Sequence, residues 1–363
     1  MAAPLRYTLT ALCWGMMLLI YLPLLPAAGL LLSPVVSLSH WQQLLTDPQL
    51  IQAATATLIS TVIAVGGAVL LALLTIATLW PSPRWQRLAS RLPWLLALPH
   101  VAFATCALLL FAEGGELYRR LPMLNPVQDR YGIGLGLVLA VKECGFLLWV
   151  CWALLGERQL AQQVVVFKSL GYGRGQCLNY VILPALMPSL AIALLATTAW
   201  TLSVVDVAMI IGPGNPPTLA VLAWQWLNSG ELDDQAKGAL ACLLLLIMLF
   251  VLATLAVGLW RVWRRFNPHP DGIRQPRFVL FPGKAIGLML PLSGLLCTGF
   301  LAWLAHASFP AMPTFNNSLG LALLSAVIGA VVCLLWLEWG PTRRQRWLAV
   351  SYTHLTLPTI CSV

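Results

Sequence analysis

The chain has 363 residues, of which 60% are hydrophobic and only 9% are charged, and its formal net charge is +9. Because soluble domains carry about 25% charged residues, this composition excludes a soluble globular protein and indicates one embedded in a lipid bilayer. The cations lie in short loops between apolar runs, a pattern typical of membrane proteins and not of nucleic-acid-binding ones, so we expect no nucleic-acid partner.

Apolar windows of about 20 residues recur along the chain, and each is long enough to cross a bilayer as a helix. They fall at 9–32, 53–80, 93–112, 132–156, 188–211, 238–260, 285–305 and 319–337. The sequence therefore predicts an all-α polytopic membrane protein with about eight transmembrane helices.

The Lys and Arg residues are distributed unequally between alternate loops. With the N-terminus in the cytoplasm, 16 of the 21 fall in cytoplasmic segments. The remaining five are Arg119, Arg120, Arg130 and Lys237 in outer loops and Lys142 within a span. Since cytoplasmic loops are enriched in Lys and Arg, the distribution predicts a cytoplasmic N-terminus.

Three ionisable residues lie inside the predicted spans. Lys142 and Glu143 are near the middle of the fourth span, and Asp206 is in the fifth. Such groups usually face a bundle interior or a cavity. Asp206 is the available partner for Lys142, and the three residues either pair structurally or line a translocation path. His100 follows Pro99, and we expect it to pack within a kinked helix and not to act as a ligand.

The cytoplasmic connection at 157–187 is too long and too patterned for a simple turn. An apolar periodic stretch ends at Leu170, glycines follow from Gly171, and a second amphipathic stretch ends at Pro184. This pattern predicts two helices beneath the membrane, joined at a tight corner where Gly171 has a positive φ or allows a close backbone approach. A plain amphipathic surface loop is the alternative.

This connection resembles the "EAA loop" of bacterial binding-protein-dependent ABC import permeases, whose pattern is E-A-A-x3-G-x9-I-x-L-P. The matching positions are Gly171, Val181, Leu183 and Pro184, and Val165, Val166 and Phe167 stand where the family has E-A-A. The resemblance implies a type I, MetI-like permease bundle in the bacterial inner membrane. It also implies that the loop forms a coupling helix, which docks into a groove on a dimer of cytoplasmic ABC ATPase subunits.

The stretch from Ser203 to Trp226 extends the resemblance to fused, tandem permeases, in which one chain carries both halves of the pore. It is similar to the permeases for thiamine, ferric iron and putrescine. The resemblance implies that a periplasmic solute-binding protein delivers the substrate, whose class stays open among small polar solutes, cations and oxyanions.

The outer loop from Ile210 to Thr218 has a composition that prevents a continuous helix. Its helix-breaking residues include Gly212, Gly214 and Pro216. We expect a re-entrant or gate-forming turn at the outer mouth, where a binding protein docks, and an ordinary tight loop is the alternative.

The chain has the marks of a tandem repeat. LISTVI at Leu58 to Ile63 realigns with LLSAVI at Leu323 to Ile328, an offset of 265 residues. We expect a first permease repeat over 1–260, a cytoplasmic linker over 261–284 and the start of a second repeat over 285–347. Residues 348–363 lack the pattern of a further span, and we expect them to be a non-native tail on a C-terminally truncated reading frame.

The sequence contains no G-x-x-x-x-G-K-[ST] loop for binding nucleotide phosphates. We therefore expect that the chain is not an enzyme, that a partner subunit hydrolyses ATP, and that the chain itself holds no cofactor or metal. One alternative is an ion- or proton-coupled secondary transporter, with Lys142, Glu143 and Asp206 as coupling groups. Another is a polytopic membrane enzyme, although the sequence carries no familiar catalytic motif for one.

Overall fold

The computed structural model describes residues 3–112, 129–156, 158–267, 282–307 and 312–339, together with positions 270, 272 and 274. In these ranges the regular structure is helical and no strand occurs, which confirms the all-α prediction. The expected tail at 348–363 and most of the central linker lie outside the described residues. The helices are α1 Ala3–Tyr21, α2 Leu24–Leu32, α3 Leu38–Leu45, α4 Leu50–Leu79, α5 Pro83–Ala89, α6 Leu92–Ala97, α7 His100–Phe111, α8 Ile133–Leu155, α9 Arg158–Ser169, α10 Arg174–Cys177, α11 Leu183–Ser203, α12 Asp206–Ile211, α13 Leu219–Leu227, α14 Leu232–Phe266, α15 Pro282–Ala307 and α16 Met312–Trp339.

Among the described residues, seven helical segments are long and apolar enough to cross a membrane, or eight if one bent pair counts as a single span. The bent pair corresponds to the predicted third span: its two parts, Pro83–Ala97 and His100–Phe111, meet at 91°. The bend lies at Leu98, whose ψ of 124° is extended. Pro99 follows Leu98, and the residue before a proline is driven out of the helical region. The described residues therefore match the eight predicted spans if this bent pair is one broken span.

The predicted fifth span, 188–211, also differs from the structure. A single apolar segment runs from Arg174 to Ser203, ends at Val204 with a ψ of 122°, and is followed by the separate short helix α12. Val204 and Val205 are adjacent β-branched residues, which favour the helical conformation less than unbranched ones. The second helix predicted for the cytoplasmic connection is not separate, because it continues through a π-turn at Leu178–Ile182 into α11.

The described residues form two compact units. One contains those of Met1–Val36 and Ala302–Val363, in which α1 lies against α16. The other is Ser37–Leu301, which includes α3 to α14 and all of the candidate site residues. The boundaries expected for the two permease repeats stay a prediction.

Helices α4 and α8 form the most extensive helix pair in the larger unit. Glycines allow their backbones to approach closely: a Cβ on Gly67 would lie 2.8 Å from the Cβ of Ala140, and one on Gly136 would lie 2.8 Å from the carbonyl oxygen of Ser60. In a bilayer such small-residue contacts are a main source of helix association, because apolar side chains gain little by leaving lipid. This pair is the framework that carries Lys142 and Glu143.

Gly67→Val should destabilise the larger unit, because its side chain would overlap Ala140 and separate α4 from α8. Overpacking of this kind costs about 1–3 kcal/mol. The neighbouring Gly66 is a matched control, since a Cβ there meets nothing within 4 Å. Thermal unfolding of the purified variants in detergent checks the prediction. Equal unfolding temperatures for Gly67→Val and Gly66→Val would contradict the packing described here.

Candidate functional site

The corner after α9 is a Schellman motif built around Gly171. The Tyr172 N–H donates to the Phe167 carbonyl at 3.1 Å, and the Gly171 N–H donates to the Lys168 carbonyl at 3.0 Å. Gly171 has a φ of +90°, which is the first of the two conditions expected at this corner. The rings of Phe167 and Tyr172 pack at a centroid distance of 5.1 Å and close the motif with an apolar contact.

Helix α9 has apolar residues on two opposite sides. Leu160 and Val164 are buried against the rest of the unit. Val165 and Val166 point away from it and are 60% and 55% exposed. A helix that only covered its own bundle would need one apolar side, so the exposed valines are free to contact another molecule.

Polar contacts fix the segment after the corner to the ends of two long helices. Arg174 Nη1 donates to the carbonyl oxygen of Thr78, in the last turn of α4, at 3.1 Å. Trp263 Nε1, near the end of α14, donates to Asn179 Oδ1 at 3.0 Å. A displacement of α9 and its corner would therefore be transmitted to α4, α14 and the start of α11.

Lys142 is buried on α8 and binds the broken end of α6. Its Nζ donates to the carbonyl oxygen of Leu95 at 2.8 Å and lies 3.4 Å from that of Leu96. The last carbonyls of a helix have no intrahelical donor. In a bilayer these groups require a partner from the protein, and Lys142 provides one.

Glu143 joins α8 to the first residue of α7. Glu143 is buried, and its Oε1 lies 2.9 Å from Nε2 of His100. The His100 ring in turn lies 5.2 Å from the ring of Trp200 on α11, measured between centroids. The expectation that His100 only packs within a kinked helix is therefore incomplete, because His100 connects three helices.

The expected Lys142–Asp206 pair does not form, which corrects the sequence hypothesis. Lys142 donates to backbone carbonyls of α6, whereas Asp206 is exposed at the start of α12. No ion pair joins the two residues in the described part of the chain. The break at Val204 separates Asp206 from the straight part of α11 and changes the direction in which it faces.

The loop after α12, which the sequence predicts to lie on the outer side, is partly buried. Gly212 is buried, Pro216 is half-buried, and only Gly214 of the three predicted gate residues is exposed. At the end of the loop the Leu219 N–H donates to Thr57 Oγ1 of α4 at 2.8 Å. The loop therefore continues into α13, which packs inside the unit, and its role as a gate stays a prediction.

Comparison with known proteins relates this fold and site to a family. No family model matches the chain. The chain is 56% identical over 360 residues to the inner membrane ABC transporter permease protein YnjC of Escherichia coli (strain K12), covering 99% of this chain and 70% of that protein. The chain belongs to the inner-membrane ABC transporter permeases.

A solved structure supports the same fold for this permease. It is the crystal structure of a bacterial alginate ABC transporter in complex with an alginate pentasaccharide-bound periplasmic protein. The match has a TM-score of 0.50 at 17% identity and covers 68% of this chain and 93% of the other. At this identity the match shows the fold alone.

Family membership decides between the classes that the sequence left open. The chain is a multi-pass inner-membrane permease of an ABC transporter and not a secondary transporter. Within the part of the permease that the structure describes, no group of three or more His, Cys, Asp or Glu is placed to hold a metal ion.

The structure separates the predicted coupling residues of the permease into two groups. Val165 and Val166 are exposed, whereas Phe167 closes the corner and Val181 is buried. Leu183 and Pro184 are half-buried in the first turn of α11.

Sequence reasoning missed Trp200 and Thr197, which lie beside His100 and Glu143, because neither residue differs in type from ordinary helix residues.

Proposed function

We propose that this permease works in an ATP-driven importer and translocates a small solute that a periplasmic binding protein delivers. The energy comes from a separate dimer of cytoplasmic ABC ATPase subunits, and the permease itself needs no cofactor. The N-terminus lies in the cytoplasm, as the distribution of Lys and Arg indicates. The described end of the bundle that contains α9 also contains α5 and the basic end of α14, which supports a cytoplasmic location for the coupling loop.

The observation that carries this proposal is the geometry of α9. Its exposed valines project from a rigid corner, and polar contacts connect that corner to α4 and α14. A helix that docks into an ATPase dimer and transmits the closure of that dimer requires both an exposed apolar side and a firm connection to the bundle. Closure of the ATPase dimer pulls α9, and the bundle opens outward to receive the solute. The loop containing Gly212, Gly214 and Pro216 gates the outer mouth, where the binding protein docks.

Val166→Asp should weaken the association with the ATPase, because docking would bury an unpaired carboxylate. Burying one costs several kcal/mol, so we expect at least about a tenfold loss of co-purifying ATPase. Co-expression of the full chain with the ATPase, followed by affinity purification through the permease, measures this loss.

Asn228→Asp is the control for that experiment. It adds the same charge to an exposed residue near the start of α14, at the opposite end of the bundle from α9. We expect its ATPase recovery to equal that of the unmodified chain. If Val166→Asp also retained full ATPase recovery, α9 would not be the docking helix.

A further inference from the structure

A small cavity lies between the broken third span, α8 and α11, beside the His100–Glu143 pair. Its volume is about 270 Å³, and His100, Glu143, Phe146, Ala196, Thr197 and Trp200 are among the residues that line it. We propose that this cavity is a subsite for a cationic, hydrogen-bond-donating group of the transported solute, such as an organic ammonium. This inference rests on the proposed function, because it names the chemical class of the solute.

The two ionisable residues of α8 make different hydrogen bonds. Lys142 also borders the cavity, but its ammonium group is occupied by the carbonyl oxygens at the end of α6. Among the described residues, the only hydrogen-bond partner of the Glu143 side chain is Nε2 of His100. The cavity therefore offers the Glu143 carboxylate as a hydrogen-bond acceptor. The adjacent Lys142 cation balances the charge of Glu143, but its N–H groups are directed to backbone carbonyls and not into the cavity.

The other groups around the cavity also favour a cation. The Thr197 hydroxyl donates its hydrogen to the Ala193 carbonyl at 2.9 Å, which leaves it only as an acceptor towards the cavity. The ring of Trp200 is 42% exposed, and Phe146 is half-buried beside it. Aromatic faces attract ammonium groups, and Trp does so most strongly. An anion would find aromatic faces, two acceptors and an ammonium group that is already bound.

The size of the cavity restricts what it holds. Pockets for drug-sized ligands typically measure about 300–1,000 Å³, so a cavity of about 270 Å³ suits a small solute or the charged group of a larger one. Its walls come from α7, α8 and α11, and two of these helices end or begin at a backbone break. Broken helices near the middle of a bilayer are common at transport sites, because their free backbone ends can bind the substrate or ions.

A cysteine reporter in the cavity tests this inference without knowledge of the natural solute. Ala196 lines the cavity and is exposed, so Ala196→Cys in the full chain can be labelled there with N-ethylmaleimide. Mass spectrometry of the peptide that contains residue 196 measures the labelling rate separately from the native cysteines. Benzylammonium should slow labelling at concentrations about tenfold lower than benzyl alcohol or benzenesulfonate, as expected for a hydrogen-bond-donating cation near a carboxylate and a Trp ring.

Variants of Glu143 distinguish recognition of charge from simple occupancy. In the Ala196→Cys background, Glu143→Asp should retain the preference for the cation, whereas Glu143→Gln should reduce it to the level of the neutral alcohol. Thr197→Val should weaken protection by about threefold to tenfold through the loss of one acceptor. Because the preference is measured first in a chain with Glu143 intact, poor folding of Glu143→Gln would leave the main comparison in place.

Three results would overturn the inference: equal protection by the three probes, better protection by benzenesulfonate, or no labelling of the cysteine at position 196. Failure of this inference is distinguishable from failure of the proposed function. Loss of the cation preference, with Val166→Asp still releasing the ATPase, would leave the importer proposal intact. Retention of the cation preference, with full ATPase recovery by Val166→Asp, would remove the docking proposal and keep the cation subsite.

Discussion

Gly171→Val should abolish ATP-driven uptake while the protein still inserts into the membrane. The native φ at this position is +90°, a conformation that β-branched residues almost never adopt. An added Cβ would also lie 3.0 Å from Cδ of Arg274. Strain of about 1–3 kcal/mol is expected for such a residue, and the corner can relieve it only by giving up the Schellman hydrogen bonds.

The effect should be on coupling and not on assembly of the bundle. The corner is outside the apolar interior, so α4 and α8 keep their contacts. Loss of the corner frees the start of α11 from α9, and movement of the ATPase no longer reaches the bundle. In proteoliposomes that contain the complete transporter, ATP hydrolysis should continue while uptake falls by at least about tenfold.

Gly175→Val is the matched control for this experiment. Gly175 lies four residues further along the same connection, within the short helix α10, and a Cβ there meets nothing within 4 Å. Its φ is not in the left-handed region, since Gly132, Gly171, Gly230 and Gly272 are the glycines with positive φ in the described part of the chain. Normal uptake by Gly171→Val, or equal losses in the two variants, would show that the corner does not carry the coupling.

The sequence was sufficient to predict the corner because its determinants are local. A glycine at a fixed distance from an apolar periodic stretch indicates a left-handed C-cap, and only a few consecutive residues form it. The spans were predictable for a similar reason, since hydropathy sums over about 20 neighbouring residues. Such a sum is insensitive to backbone breaks. Pro99 indicated a kink beside Leu98, but no proline marks the interruption at Val204, which the sequence therefore did not reveal.

The intramembrane cluster was only partly predictable because its contacts depend on the relative positions of different helices. Sequence position places Lys142 and Asp206 in successive spans but does not give the rotation of α8 or the direction of α12. The hypothesis that they pair also considered side chains only. Lys142 instead binds carbonyl groups that the break before Pro99 leaves without donors. The His100–Glu143 contact joins residues 43 positions apart, which no local pattern indicates.

Lys142→Met should substantially destabilise the larger unit. Met fills a similar volume, but it removes the donor that binds the Leu95 and Leu96 carbonyls. Each buried polar group left without a partner costs about 1–3 kcal/mol. The substitution also removes the cation adjacent to Glu143, so a buried carboxylate remains with His100 as its partner. We expect a lower yield of inserted protein and a lower unfolding temperature in detergent.

A pair of double-mutant cycles distinguishes this role of Lys142 from a pairing with Asp206. If Lys142 acts through α6 and the neighbouring carboxylate, Glu143→Gln should recover part of the stability lost in Lys142→Met, because the two changes together leave no net charge buried. Asp206 is exposed and makes no ion pair with Lys142 in the described structure, so Asp206→Asn should add independently, within about 0.5 kcal/mol. Thermal unfolding of the two double variants measures both coupling energies. If Asp206→Asn recovered the stability lost in Lys142→Met and Glu143→Gln recovered none, the Lys142–Asp206 pair would be supported and the capping of α6 contradicted. A lysine whose ammonium binds backbone carbonyls of α6 has no reason to respond to a carboxylate on α12.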